Sequence, residues 1–148
     1  MDKYEVLKQY FGYDAFRDGQ EKMIDAITSG RDVLGIMPTG AGKSLCYQIP
    51  ALMAGENGGI TLVISPLISL MKDQVSALNQ AGVHAAYLNS SLTSGQYYKA
   101  LGYAREGRYP IIYVAPERLL TPEFLDFAVH AKIAMVAVDE AHCVSQWG

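Results

Sequence analysis

The sequence contains few cysteines, no long apolar run and no signal-like N-terminus. Only Cys46 and Cys143 are cysteines among its 148 residues, and they lie far apart in the chain. Two such cysteines predict neither a disulfide framework nor a zinc site, so we expect buried, reduced thiols. No apolar run approaches the length of a transmembrane helix, and the N-terminal residues are charged and mixed. These absences predict a soluble cytoplasmic protein with no membrane partner.

An excess of basic residues is also lacking. Twelve Lys and Arg residues stand against fifteen Asp and Glu residues, which gives a net charge of -3 and a pI near 5.5. Bulk charge therefore gives no support for nucleic-acid binding, and any such contact must come from a local patch. Half of the residues are hydrophobic and 18% are charged, an ordinary balance for one globular domain.

Short apolar runs alternate with helical patterns along the chain. The runs that predict strands are residues 32–37, 59–65, 84–88, 110–115 and 133–139. Helix-like spacing occupies residues 2–11, 20–29, 66–81, 93–106 and 122–130. Near-continuous apolar strands that alternate with helices predict an α/β fold, a parallel sheet with helices on both faces.

The helix after residue 65 is predicted to start with Ser65 as its N-cap and Pro66 as its first residue. Its apolar stripe is assigned to the core and comprises Leu67, Leu70, Met71, Val75 and Leu78. The helix at 93–106 is expected to be exposed. Its tyrosines Tyr97, Tyr98 and Tyr103 lie among basic residues, and we favour amphipathic packing over a nucleic-acid surface.

A phosphate-binding loop is predicted between the first strand and the next helix. Gly40 and Gly42 let backbone amides turn inward, and with the helix N-terminus these donors form a nest for phosphate oxygens. Lys43 would hold the β- and γ-phosphates, and Ser44 would offer its hydroxyl to Mg²⁺. The residues predicted to bind the nucleotide here are Thr39, Gly40, Ala41, Gly42, Lys43 and Ser44. The general pattern starts with glycine, whereas this chain has Met37.

An acidic pair follows the apolar residues of the fifth strand, in the run DEAH. A carboxylate at the carboxyl end of a parallel strand faces the crevice where ligands bind. Asp139 is therefore predicted to hold Mg²⁺ through water, and Glu140 to polarise the attacking water as general base. A strand-end helix cap is the alternative, and the upstream phosphate loop favours the catalytic interpretation. The two motifs together predict ATP and Mg²⁺ as ligands.

With these motifs placed, the chain resembles the N-terminal RecA-like lobe of a RecQ-family DNA helicase, a superfamily-two DEAH-box motor. The form x-P-T-G-x-G-K-S, which accounts for Met37, is the one this superfamily uses. The segments that carry the resemblance, in chain order, are LKQYFGYDAFRDGQ (7–20), MPTGAGKSLCYQIPAL (37–52), SPLISLMKDQV (65–75), YLNSS (87–91), YVAPERL (113–119) and VDEAHCVSQWG (138–148).

The resemblance implies an adenine-recognition segment at residues 1–31. Gln20 would hydrogen-bond the adenine edge, Tyr13 would stack on the base, and Arg17 would lie nearby. An amide is chemically suited to read an adenine edge with two hydrogen bonds. We expect Phe11 and Phe16 to belong to the core and Gln20 to lie outside it.

Residues 32–148 would then form a first RecA-like ATP-binding domain, incomplete and truncated after the DEAH box. His142 would couple the nucleotide site to the rest of the motor, and Gln146 and Trp147 would begin a DNA-sensing loop. Three residues are candidates for contacts to the DNA backbone: Ser65, Lys72 and Gln74. Arg118 would contact a phosphate or pair with a neighbouring carboxylate.

The implied function is ATP-dependent 3′–5′ DNA unwinding by the full-length protein, with a second RecA-like lobe downstream and a nucleoid location if the protein is bacterial. The 148 residues alone are expected to bind ATP without unwinding DNA. They are also expected to be poorly stable, because a central strand position is vacant. The alternatives are a DEAD-box-like RNA helicase and a non-catalytic nucleotide- or DNA-binding fragment. The F-G-x-x-x-F-R-x-x-Q and S-Q-W-G segments favour the DNA-directed family.

Overall fold

A four-stranded parallel sheet forms the centre of the chain in a computed structural model that describes residues 1–29 and 44–138. The strands are β1 (Ile60–Ile64), β2 (Ala85–Leu88), β3 (Ile111–Val114) and β4 (Ile133–Val138). Their order in the sheet is β2-β3-β1-β4, and every neighbouring pair is parallel. The strand predicted at 32–37, the loop residues 37–43 and the acidic segment 139–148 lie outside the described residues.

Helices cover both faces of the sheet, as the sequence predicts. They are α1 (Lys3–Val6), α2 (Gln20–Thr28), α3 (Leu45–Gly55), α4 (Ile68–Gln80), α5 (Ser94–Arg105) and α6 (Pro122–His130). A π-helical turn, Leu7–Phe11, continues α1, and a 3₁₀ turn, Pro116–Arg118, follows β3. Helices α1 to α4 share one hydrophobic core with the sheet, and α5 and α6 share a second. None of the described helices is both long and apolar enough to cross a membrane.

Alternation along β3 divides its side chains between the two cores. Ile111 and Tyr113 belong to the core under α1 to α4, whereas Ile112 and Val114 belong to the core under α5 and α6. All of these side chains are buried, which explains why the strand reads as a continuous apolar run. β4 differs, since Val136 and Val138 remain 54% and 44% exposed.

Helix α4 begins later than the sequence predicts. The backbone N–H of Ser65 donates to the Val114 carbonyl at 3.1 Å, so the chain remains extended beyond β1. The Ser65 hydroxyl accepts from the N–H of Leu67 at 3.3 Å instead of capping the helix. The prediction of Ser65 as N-cap and Pro66 as first helical residue is therefore wrong, because strand pairing takes priority over the capping signal.

The predicted apolar stripe of α4 is correct except at its start. Met71, Val75 and Leu78 are buried, and Leu70 is half-buried. Leu67 is 41% exposed and does not belong to the core, since it precedes the helix. Helical spacing therefore predicts burial correctly only for residues that lie within α4.

Helix α5 is more buried than expected. Thr93 caps it in a reciprocal capping box with Gln96, which fixes its start. Tyr97, Leu101 and Ala104 point into the core, whereas Tyr98 is 55% exposed. Amphipathic packing, the interpretation favoured from the sequence, is therefore confirmed for Tyr97.

The N-terminal segment is tied to α2 and α3 by ion pairs. The Lys3 ammonium lies 2.7 Å from Glu21 and 2.5 Å from Asp25, both in α2. Hydrogen bonds to Asp25 and then Glu21 raise the pKa of Lys3 above its ordinary value. The same contact with Lys3, followed by the hydroxyl of Tyr4, lowers the pKa of the Glu21 carboxyl. The α-amino group of Met1 pairs with Glu56 at 2.9 Å.

Candidate functional site

The carboxyl ends of three strands meet at one edge of the sheet. Two backbone bonds join them: Ser65 donates to Val114 at 3.1 Å, and Ala115 donates to Leu88 at 3.0 Å. Open parallel sheets bind ligands outside this edge. The described segments that resemble helicase motifs at 65–75, 87–91 and 113–119 all start at or extend across this edge, so the structure brings them together.

Two polar side chains are buried at this edge. Ser65 is 1% exposed and Asn89 is 0% exposed. The Asn89 side-chain oxygen accepts from the backbone N–H of Ser91 at 2.9 Å and from the Ser91 hydroxyl at 2.5 Å. Its amide nitrogen donates to the sulfur of Met71 at 3.4 Å. Asn89 therefore fixes the turn after β2 against α4, a role that the sequence did not indicate.

Gln20 is buried at the start of α2, contrary to the expectation that it lies outside the core. It is 2% exposed, and its side-chain oxygen accepts from the backbone N–H of Arg17 at 2.7 Å. Phe11 and Phe16, expected in the core, are only half-buried and pack against its margin. The correction arises because Gly19, with φ at 84°, turns the chain so that Gln20 points inward.

The other two residues of the predicted adenine segment lie at the surface. Tyr13 is 50% exposed, and Arg17 is exposed beside the Gln20 turn. The Tyr13 ring is therefore accessible from solvent.

Ser44 stands at the entrance of α3 and is the first described residue after the predicted phosphate loop. It is half-buried, its backbone is already helical, and its hydroxyl makes no capping hydrogen bond. Helix α3 packs directly against α2. The structure therefore brings the helix that follows the predicted phosphate loop against the helix that begins with Gln20.

Several predicted site residues lie outside the described residues. They are Thr39, Gly40, Ala41, Gly42, Lys43, Asp139, Glu140, His142, Gln146 and Trp147. β4 is described as far as Val138, the residue immediately before Asp139.

Side chains that can ligate a metal ion are scattered over residues 1–29 and 44–138. These ranges contain no cluster of three or more His, Cys, Asp or Glu side chains that could hold a metal ion. Cys46 is buried, as the sequence led us to expect, and burial raises the pKa of its thiol. Cys143 lies beyond the described part of the chain.

A buried polar network links α3, β3 and α4. The hydroxyl of Tyr47 donates to the Gln74 side chain at 2.7 Å and lies 3.3 Å from the hydroxyl of Tyr113. The amide of Gln48 donates to the same Tyr113 hydroxyl at 2.9 Å. Sequence reasoning missed this network. Two features of the sequence could have indicated it: the tyrosine inside the apolar run IIYV, and the pair Tyr47 and Gln48 in the first turn of the otherwise apolar α3.

Arg118 stacks on Tyr97 rather than joining an ion pair within the described part of the chain. Its guanidinium carbon lies 4.5 Å from the centroid of the Tyr97 ring. The neighbouring carboxylates have other donors: Glu123 accepts from Tyr98, and Asp126 pairs with Arg105. Of the two sequence-based alternatives for Arg118, pairing with a carboxylate is not seen among these residues.

An open groove of about 330 Å³ lies at the opposite, amino end of the strands. Residues around His84 and Arg108 line it, where the chain enters β2 and β3. Parallel sheets bind ligands at the other end, so this groove is not part of the candidate site.

Comparison with known proteins identifies related helicases. The family model described as DEAD/DEAH box helicase matches residues 17–148. The chain is 52% identical over 144 residues to the ATP-dependent DNA helicase RecQ of Bacillus subtilis, covering 97% of this chain and 24% of that protein. Identity to the RecQ of Pasteurella multocida is 53%, over 97% of this chain and 22% of the relative.

A solved structure, titled a hypothetical ATP-dependent RNA helicase from Sulfolobus tokodaii, matches with a TM-score of 0.71 at 25% identity. The match covers 99% of this chain and 43% of that one. The chain spans about a quarter of the length of the RecQ relatives it matches. It belongs to the DEAD/DEAH box helicase family, as an N-terminal RecA-like lobe similar to that of RecQ helicases.

Proposed function

We propose that this chain is the ATP-binding front lobe of a RecQ-type DNA helicase, in which ATP hydrolysis drives 3′–5′ unwinding of DNA. The observation that carries the proposal is 52% identity, over 97% of the chain, to a protein named ATP-dependent DNA helicase RecQ. The structural relative named an RNA helicase is only 25% identical, so DNA is favoured over RNA. A second RecA-like lobe and the remaining length of the relatives would complete the motor.

The adenine end of the nucleotide would bind at the start of α2. Gln20, whose side-chain oxygen accepts from the Arg17 N–H, would hydrogen-bond the adenine edge. The exposed ring of Tyr13 would stack on the base. Arg17 would lie beside the bound nucleotide.

The phosphate end would bind where α3 begins. Amides of Thr39, Gly40, Ala41 and Gly42, with Lys43, would hold the phosphates. Mg²⁺ would neutralise charge on the phosphate oxygens. The hydroxyl of Ser44 suits a hard cation, and it makes no capping bond that would have to be broken. Asp139 would be the second protein group to hold the ion, and it would do so through a water molecule.

Hydrolysis would need Glu140 to orient and polarise the attacking water. Closure of the second lobe over ATP would then be transmitted to DNA through His142, Gln146 and Trp147. Ser65, Lys72 and Gln74 are proposed to contact the DNA backbone, which makes binding independent of sequence.

The first prediction tests both the chemistry and the choice of nucleic acid. Single-stranded DNA should stimulate ATP hydrolysis by the full-length gene product far more than single-stranded RNA does. Glu140→Gln should reduce that rate by about 10²–10⁴-fold, because glutamine has the shape of glutamate but cannot act as a general base. Steady-state ATPase assays measure the rates, and filter binding of labelled ATP serves as the control for retained nucleotide affinity.

Equal stimulation by RNA would favour the RNA helicase alternative. ATP binding without any stimulated turnover in the unmodified protein would favour the non-catalytic alternative.

A further inference from the structure

The turn that carries Arg17 and Gln20 follows a stretch of chain with little regular structure. Residues 12–19 contain no helix or strand, and Gly12 and Gly19 at their two ends have φ angles of 75° and 84°. The Gln20 side-chain oxygen accepts from the Arg17 N–H at 2.7 Å, and the Gln20 N–H donates to the Arg17 carbonyl at 3.1 Å. These bonds fix the shape of the turn, but they do not hold it against the rest of the protein.

Helix α1 contacts this turn through the side chain of Tyr4. The centroid of the Tyr4 ring lies 5.6 Å from that of Phe16, with an angle of 53° between the two ring planes. Phe16 immediately precedes Arg17 and packs against the margin of the core. The Tyr4 hydroxyl donates to the side chain of Glu21, the residue that follows Gln20. Tyr4 therefore contacts the chain on both sides of the turn.

Lys3 adds a second set of contacts from the same helix. Its ammonium lies 2.7 Å from Glu21 and 2.5 Å from Asp25, and it also lies 5.2 Å from the centroid of the Tyr4 ring. Only 18% of the Lys3 side chain is exposed. A single ion pair at the surface stabilises a protein little. Here, however, Lys3 and Tyr4 bind the same Glu21 carboxylate, so that one network holds the start of α2.

Helix α1 is itself fixed in place. Val6 and Leu7 are each 1% exposed and belong to the core that α1 to α4 share with the sheet. At the start of the helix, Asp2 and Glu5 form a reciprocal capping box. The helix is therefore a firm support, and its outward side chains set where the turn before α2 lies.

We propose that Tyr4 and Lys3 are positioning residues for nucleotide recognition, which hold the turn of Arg17 and Gln20 in the orientation that reads an adenine base. The inference rests on the proposed function, since it takes Gln20 as the residue that binds adenine. Tyr4 and Lys3 act through the turn and not by touching the nucleotide. The segments that resemble helicase motifs start at residue 7, so neither residue belongs to them.

The second prediction concerns which base the protein prefers. Tyr4→Ala in the full-length gene product should raise the KM for ATP by about two- to tenfold, the effect of losing one aromatic ring contact. The KM for GTP should change less, because guanine has a carbonyl oxygen where adenine has the amino group. The kcat at saturating ATP should not change, because the lost contact orients a binding group. Steady-state assays of ATP and GTP hydrolysis with single-stranded DNA measure these constants.

Further variants separate the two sets of contacts. Tyr4→Phe keeps the ring contact with Phe16 and loses only the bond to Glu21, so its KM for ATP should rise less than that of Tyr4→Ala. Lys3→Ala should also raise the KM for ATP and lower the preference for ATP over GTP. Lys3→Arg keeps the charge beside the carboxylates and should restore both values. The matched control is Lys22→Ala, which removes an exposed cation of α2 and should leave both KM values unchanged.

A double variant tests whether Tyr4 acts through Gln20. Tyr4→Ala combined with Gln20→Ala should show the same preference for ATP over GTP as Gln20→Ala alone. If Gln20→Ala lowers the preference and neither Tyr4→Ala nor Lys3→Ala does, the inference is overturned and the proposed adenine site stands. An equal rise of both KM values in Tyr4→Ala would also overturn it, because that result indicates a general loss of structure. An unchanged preference in Gln20→Ala would overturn the proposed adenine site and this inference together.

Discussion

At the scale of single residues, Gln20 combines burial with a fixed orientation. Its side chain is 2% exposed, and the Arg17 N–H sets the direction of its carbonyl oxygen. An amide that is already oriented loses little conformational freedom when a base binds. The sequence led us to expect an exposed side chain, and the proposed adenine contact depends instead on this fixed amide.

The third prediction concerns nucleotide selectivity. Gln20→Ala should raise the KM for ATP about tenfold or more and reduce the preference for ATP over GTP, because a paired amide–adenine contact is worth roughly 1–3 kcal/mol. ATPase assays with both nucleotides measure the effect. Gln80→Ala, at the exposed end of α4, is the control. An unchanged ATP:GTP ratio in Gln20→Ala would remove Gln20 from the adenine site.

Single residues also show where sequence reasoning stops. The burial of Asn89 and the stacking of Arg118 depend on partners in other elements, Met71 and Tyr97, that no local pattern identifies. Motif spacing predicts which segments lie at the ligand edge, because parallel strands end there together. It does not predict which side chain of a segment faces inward.

At the scale of elements, the strands and most helices follow from periodicity. Helix α6 matches the predicted range 122–130, since Pro122 starts it and the apolar residues keep helical spacing. The start of α4 does not follow, because Ser65 continues the strand ladder by bonding to Val114. At such a junction the same residue can cap the helix or extend the strand. Which of the two it does depends on hydrogen bonds to the neighbouring strand, and the local sequence does not show them.

The network among α3, β3 and α4 supplies the fourth prediction. Tyr113→Phe removes the acceptor of the Gln48 amide, which is itself 5% exposed, and leaves that donor buried without this bond. The free energy of unfolding should fall by about 1–3 kcal/mol. Urea denaturation measures it, with Tyr98→Phe as control, since Tyr98 is 55% exposed and its hydroxyl donates to Glu123 at 3.3 Å. Equal stabilities of the two variants would contradict the structural role of the network.

At the scale of the whole molecule, the sheet carries a different set of side chains on each face. The proposed nucleotide residues belong to helices on one face, and the Tyr97–Arg118 stack belongs to the other. The N-terminal residues Val6 and Leu7 share a core with β1 and β3. The proposed boundary between an adenine-recognition segment (1–31) and an ATP-binding domain (32–148) therefore does not separate two hydrophobic cores.

The fifth prediction concerns how pH affects the docked N-terminus. The lowered pKa of Glu21 means that its pairing with Lys3 stabilises docking fully above the ordinary value of 4.5. This stabilisation is lost as pH falls through the lowered value. The raised pKa of Lys3 has the opposite sign: its contribution is complete below 10.5 and is lost only as pH rises through the raised value.

The N–H groups of Val6 and Leu7 donate to the carbonyls of Asp2 and Lys3. Their hydrogen exchange, corrected for intrinsic rates, should therefore show protection that is constant between these limits and decreases in acid. Glu21→Gln should remove much of the acid-dependent decrease and lower protection at neutral pH. Glu117→Gln, an exposed glutamate in the turn after β3, is the control. A Glu21→Gln profile that matches the unmodified protein at every pH would show that the ion pair does not hold the segment.

The strand order has a consequence for biosynthesis. β1 lies between β3, which follows it closely, and β4, the last described strand to leave the ribosome. Because chains fold from the N-terminus during translation, β1, β2 and β3 can assemble while β4 is still in the exit tunnel. During that interval one side of β1 has no neighbour, so a slow codon run or a pause before residue 133 would lengthen the time in which nascent chains can pair with each other.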